Sequence, residues 1–262
     1  MNNAREKIIR YYKAGGDEML AARLCDLAET AAKSRRYAIS AFLDPYGLSV
    51  AETVAAHFAM LRLEFEGGFV GAERVKAAFV DNEYRGELVY DIIGLEIKWD
   101  KRFYSLAHRD VLGAVLGLGC EREVIGDIVL GGEGAQLVAG RTAADFLLGN
   151  LTAVGAANVS VKEIDFSELK QKEEKIKDIK ATVAALRLDA VAAAGYGVSR
   201  SYMAEEIKAQ RVKINWKAAK NGAQPVRAGD VVSFRGRGRV EVAEIGGLTK
   251  KGRISICLRR YI

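Results

Sequence analysis

Residues 167–180 constrain this chain most. Nine of these fourteen residues are charged, and only Leu169, Ile176 and Ile179 are apolar. A stretch so poor in apolar side chains cannot line a core. Glu168 with Lys172, and Glu173 with Lys177, stand four apart in the order that favours a helix. The expectation is a solvated linker, helical or loose, separating residues 1–166 from a C-terminal portion of 82 residues, 181–262.

Charge divides at the same place. Residues 181–262 hold 16 Lys and Arg against 6 Asp and Glu, a balance of +10. Residues 1–180 hold 24 against 28, a balance of −4. The whole excess of +6 therefore sits in the last third, as expected of a nucleic-acid module attached to a neutral or acidic partner domain. Half of the 262 residues are hydrophobic, enough to bury two or three cores. Cys25, Cys120 and Cys257 are scattered, with no metal, redox or disulfide spacing. No stretch reaches the ~18 apolar residues of a membrane span, and the first residues lack the apolar core of a signal peptide. A reducing cytoplasm, no membrane and no cofactor are expected.

Residues 1–40 read as helical, broken at Gly15-Gly16, with Asp17 as a candidate cap. A loop over 42–47 precedes a helix over 51–60 that Ser49 would cap. Residues 61–166 mix periods. Strands are expected over 61–66, 88–99 and 158–166, with a hairpin over 126–139 turning at its glycines. Helices are expected over 109–118 and 142–151. The fold class is α+β: an N-terminal helical region over 1–60 and a central sheet domain over 61–166.

In the C-terminal portion an apolar helix over 186–194 precedes Ser199, a good cap for a second helix over 200–210. A helix start presents unpaired N–H groups and a positive dipole end, and Arg200 lies in its first turn. Arg211 to Trp216 then alternate, placing Val212, Ile214 and Trp216 toward a core and Arg211 and Lys213 outward. Lys217 follows. A strand at 231–234 runs into Arg235, Arg237 and Arg239, alternating with glycines that would let a backbone approach phosphate closely. Strands at 240–245 and 254–258, a turn at Gly246-Gly247, and the cations Lys250, Lys251 and Arg253 complete a small antiparallel sheet. Two helices on a sheet with one basic edge suit binding by shape and phosphate contact, the usual mode for double-helical RNA.

Leu186-Arg187-Leu188-Asp189, Ser199-Arg200, Arg211 to Asn215 and Ala228 to Val232 resemble the S4 RNA-binding domain in order and spacing. By position the resemblance implies RNA contact through Ser199, Arg200, Lys208, Arg211 and Lys213, and Arg187 opens the same motif. The S4 strand normally ends in Asn-Gly, whereas Asn215 is followed here by Trp216. Further upstream, Phe42 to Pro45, Gly67-Gly68-Phe69, His108 to Gly113 and Leu118 to Glu123 resemble the YlmH family. That resemblance implies a bacterial protein with a central ferredoxin-like domain and a C-terminal S4 domain. Its implied partners are ribosomal or transfer RNA and the large ribosomal subunit, in rescue of stalled translation, with a link to cell division and a division-protein partner as the alternative.

Enzyme motifs fare poorly. His108-Arg109-Asp110 lacks the remaining parts of a kinase loop, and His57 and His108 are the only histidines. Asp110 is expected to cap a helix. Arg109 and Arg122 are expected either to reach RNA or to pair with neighbouring acids. The expectation is therefore a factor without catalytic residues or metal, with an RNA-modifying enzyme as second alternative.

Overall fold

The structure is a computed structural model that describes residues 2–132, 134–169 and 176–261. The chain forms two compact units, 1–172 and 173–262.

The first unit opens with α1 (Asn2–Lys13) and α2 (Glu18–Ser34), separated at the expected glycines. Asp17 precedes α2 without capping it; its carboxylate accepts from the Tyr46 hydroxyl at 3.0 Å. Arg35, at φ 52°, ends α2, and β1 (Tyr37–Leu43) begins at once, so residues 37–40 are strand and not helix. Helix α3 (Pro45–Ala55) starts earlier than expected. Asp44 caps it by accepting from the Gly47 amide at 2.8 Å, with Pro45 in the first turn. Ser49 lies inside that helix, its hydroxyl donating to the Tyr46 carbonyl.

Strands β2 (Leu61–Glu66) and β3 (Val75–Asp81) pair with β1 in an antiparallel sheet of order β1-β3-β2. Helices α2 and α3 cover it through Leu24, Ala28, Val50 and Val54, packed against Phe79. The boundary expected at residue 60 therefore cuts through a sheet: residues 61–81 complete the N-terminal layer.

The central layer comprises β4 (Ile92–Lys98), α4 (His108–Gly117), β5 (Ile125–Leu130), β6 (Gly134–Gly140), α5 (Arg141–Asn150), a small hairpin of β7 (Ala153–Val154) and β8 (Ala157–Asn158), and β9 (Ser160–Ile164). Its βαββαβ order and the antiparallel arrangement β5-β6-β4-β9 are those of a ferredoxin-like fold. Leu95, Ile97, Leu137, Val111, Val115 and Leu147 form the core between sheet and helices.

The second unit contains β10 (Ile176–Val183), α6 (Leu188–Tyr196), α7 (Arg200–Lys208), β11 (Val212–Ile214), β12 (Lys217–Ala218), β13 (Val231–Phe234), β14 (Gly238–Leu248) and β15 (Ile254–Tyr261). They form one antiparallel sheet, β10-β15-β14-β13-β11-β12. Both helices pack on one face, where Leu188, Val191, Met203 and Ile207 meet Val232, Val240, Val242 and Leu258. The Tyr196 hydroxyl donates toward the carbonyls of Val232 and Gly238, at 2.7 and 2.9 Å, tying α6 to two strands.

Two expectations fail here. Of the linker at 167–180, residues 170–175 lie outside the described residues, but residues 176–180 open β10, which pairs with β15 from Ile176 opposite Tyr261 to Val183 opposite Ile254. Ile179, Ala181 and Val183 alternate toward the core, a period-two signal that the intervening charges hide. Gly246-Gly247 is no turn either: β14 runs on to Leu248 with two register shifts, and the chain reverses at 249–253, where Gly252 takes φ 71°.

Candidate nucleic-acid interface

Asp189 organises the helical side of the second unit. It sits in the first turn of α6, nearly buried, and its amide donates to the Gly222 carbonyl at 3.0 Å. Its carboxylate accepts from the Arg187 guanidinium at 3.3 and 3.0 Å and from Arg200 at 3.1 Å. Burial works to raise this carboxyl, but the two guanidiniums more than offset it and hold it below the ordinary aspartate range. The arginines stay about half exposed, at 40 % and 54 % of their side chains. Each guanidinium is thus fixed on its inner edge with its remaining N–H groups toward solvent, which suits a fork for phosphate.

Ser199 completes this corner. Its hydroxyl accepts from the Tyr202 amide at 3.2 Å, capping α7 as expected, and Arg200 is the first residue of that helix. At the other end of α7, exposed Lys208 stands in the last turn, and Arg211 pairs with the buried Glu206 at 3.4 Å. The same device recurs: a buried acid anchors an arginine that remains half exposed.

The other cations divide into two further groups. Lys213 lies on the sheet face away from the helices, in a cross-strand row with Ser233 and Arg239. Arg239 lies over the Tyr261 ring at 5.5 Å, and Arg237 over Phe234 at 5.7 Å. Arg235 is exposed, and its amide donates to the Arg211 carbonyl. The glycines beside these arginines have structural duties: Gly236 and Gly238 take φ 78° and 82°, and a Cβ on Gly238 would stand 2.8 Å from the Tyr261 carbonyl. Lys217, across the β11–β12 turn, faces Ile214.

Lys250, Lys251 and Arg253 sit at the tip between β14 and β15. The length of β14, about 30 Å for eleven residues, separates them from the turn at 235–237. Arg253 is engaged with β10, donating to the Thr182 hydroxyl at 3.0 Å and its carbonyl at 2.6 Å. One compact ligand therefore does not touch all thirteen residues at once.

In the first unit the two expected secondary contacts part ways. Arg109, with an 87 % exposed side chain, stands on α4 3.7 Å from Asp110, whose carboxylate accepts from the Ala107 amide at the helix start. Arg122 is turned inward and donates to the carbonyls of Ile125 and Gly126 at 2.8 and 3.1 Å. Burial, with Arg74 close by, brings its pKa down to about 10. Its hydrogen bonds go to backbone carbonyls, not to the neighbouring acids Glu121, Glu123 or Asp127.

The sheet face opposite α4 and α5 is also largely occupied. Phe42, Ile92, Val138, Ile164 and Leu169 pack together across it, and the Gln136 amide donates to the Glu168 carbonyl. What remains is Glu96 between Lys98 and Lys162, at 3.4 and 3.1 Å. Sheets of the RNA-recognition-motif type stack bases on aromatics of the open face; here that area is taken by the protein's own Phe42.

Sequence reasoning found the cations but missed Asp189 and Glu206, the acids that hold them. Their signal was faint: one acid in the first turn of an apolar helix, and one directly before Ile207 near a helix end. Among the described residues no helix is long and apolar enough to cross a membrane.

Comparison with known proteins agrees with this division. The family "Putative RNA-binding domain in YlmH" matches residues 87–168, and the S4 domain matches residues 186–232. The "Ribosome-associated protein quality control protein P2" of Bacillus subtilis is 35 % identical over 227 residues, covering 86 % of this chain and 88 % of that protein. A solved structure, "Cell division protein ylmH from Streptococcus pneumoniae", aligns with a TM-score of 0.51 at 24 % identity, over 60 % of this chain and 95 % of the other, and shows a shared fold. The chain belongs to the YlmH family of S4-domain RNA-binding proteins.

Proposed function

We propose that this chain is a non-enzymatic, cytoplasmic factor that binds structured ribosomal or transfer RNA on the large ribosomal subunit and acts in the rescue or quality control of stalled translation. The observation that carries this reading is the Asp189-held pair Arg187 and Arg200 beside the Ser199 cap: two oriented forks at a helix start, in the most basic part of the chain. The name of the Bacillus relative supports the ribosomal setting. The Streptococcus protein is named for cell division, which favours, as second reading, a scaffold at the division site.

Sucrose-gradient sedimentation with ribosomal subunits at low and moderate salt tests this. The proposal expects the full chain to travel with the large subunit and the Arg187→Ala, Arg200→Ala chain to remain at the top. Sedimentation unchanged by both substitutions would move the anchor elsewhere. A chain that binds no subunit, yet retains a protein partner after nuclease treatment, would favour the scaffold.

A further inference from the structure

The turn between β11 and β12 carries a conformational cost. Asn215 and Trp216 are its two central residues, and both take positive φ, 49° and 64°. Such a two-residue hairpin turn favours Asn-Gly, because the second position in particular suits a residue without Cβ. Asn215 is well provided for. Its side chain accepts from the Val231 amide and donates to Asp230, both at 2.9 Å, and its own amide donates to the Val231 carbonyl. Trp216 brings the largest side chain to the position that glycine suits best. It stands outside the apolar core cluster of this unit, contrary to the inward direction that alternation predicts for it. It is half-buried at the sheet edge, since β12 is the last strand. Exposed Lys213 and Lys220 and half-buried Lys217 lie within four residues of it. A bulky aromatic residue held in a strained conformation at the surface marks a position that serves something other than folding.

We infer that Trp216 is a stacking platform for one unpaired nucleobase of the bound RNA, with the neighbouring lysines on the flanking phosphates. Every base offers a π-face, so a flat indole among cations suits a bulged or splayed nucleotide and ignores its identity. The inference rests on the proposed RNA binding and adds what phosphate contacts do not supply: discrimination between a continuous duplex and one with an extruded base.

The test uses the full chain and two RNA hairpins, identical except that one carries a single bulged adenosine. Affinity, tryptophan emission and thermal unfolding are measured for wild type, Trp216→Gly and Trp216→Phe. The wild type should prefer the bulged hairpin by about tenfold, with its emission quenched by that hairpin alone. Trp99, the other tryptophan, is buried and donates to the Tyr104 carbonyl, so Trp216 is the accessible reporter. Trp216→Gly should lose preference and quenching, bind the paired hairpin as before and unfold no earlier than wild type. Trp216→Phe should keep part of the preference. A preference retained by Trp216→Gly, equal binding of both hairpins by the wild type, or a large fall in the unfolding midpoint of Trp216→Gly would each overturn the inference while leaving RNA binding intact. A wild type that binds neither hairpin at low salt would overturn the RNA reading itself, and this inference with it.

Discussion

Arg74 and Arg122 of the first unit and Arg187, Arg200 and Arg211 of the second are used in opposite ways. In the first, Arg74 reaches from the loop before β3 to the carbonyls of Ile125, Phe42 and Arg122, at 2.9, 3.0 and 3.0 Å, while Arg122 closes on Ile125 and Gly126. Both guanidiniums have their pKa lowered by burial; Arg74 joins the N-terminal layer to the ferredoxin-like layer, and Arg122 ties down the start of β5 within the latter. In the second, Arg187, Arg200 and Arg211 lean on the buried acids Asp189 and Glu206 and keep their outer edges in water. Donors turned onto carbonyls hold backbone together; donors held by a carboxylate stay half exposed. Local charge counts do not separate the two cases, because what differs is the partner on the inner side: carbonyls in one, carboxylates in the other.

The sharpest way to break this contrast is Arg74→Ala. It removes three hydrogen bonds to inward-facing carbonyls, although Ile125 keeps Arg122 as a donor and the Arg122 carbonyl keeps the Ile125 amide, and should cost the first unit about 3 kcal/mol in chemical denaturation. RNA affinity should be unchanged; a loss of affinity at unchanged stability would reverse the roles assigned here. Next comes Arg200→Ala, expected to weaken binding of a structured RNA hairpin about tenfold, or ~1.5 kcal/mol, across unrelated sequences, with little effect on unfolding. A sequence-selective loss in competition binding would contradict phosphate contact.

Asp189→Asn should act more weakly and with a pH signature. The folded carboxyl titrates below its unfolded value of about 3.9. Its stabilisation is therefore complete above that value and is lost as pH falls through the lower, folded one. The contribution is about 1 kcal/mol, since both arginines are half exposed. Unfolding curves of wild type and Asp189→Asn should differ at pH 7 and converge in strong acid; parallel curves down to pH 2 would show that the clamp contributes nothing. The smallest effect is expected from Lys250→Ala with Lys251→Ala, less than threefold on the same hairpin, because that tip lies about 30 Å along β14 from the turn at 235–237.

How much of this was legible follows from the same contrast. The Ser199 cap, the alternation at 211–214 and the helix break at Gly15-Gly16 were visible because each is a local requirement with a short sequence signature. The S4 surface was readable as a set of cations, and the ferredoxin-like order followed from the resemblance. Strand β3 was not seen: it is the middle strand of its sheet, buried along nearly its whole length, so Val75 to Val80 show no alternation. Strand β1 was lost to the helix before it, since Arg35 stops α2 through its left-handed conformation and not through a glycine or proline. In β10 the charges of the outer face outweighed the three inward residues. The inward turn of Arg122 and the anchoring by Asp189 depend on hydrogen-bond partners 2 to 11 residues away, and no single-residue pattern announces them.

The most direct test of the central claim, that Asp189 holds two arginines out for phosphate, is the salt dependence of binding. Affinity of the full chain for a structured RNA hairpin is measured from low to moderate salt, for wild type and for Arg187→Ala, Arg200→Ala. If both guanidiniums contact phosphate, the slope of log affinity against log salt should become shallower by about 1.4–1.8. An unchanged slope with unchanged affinity would place the RNA face elsewhere.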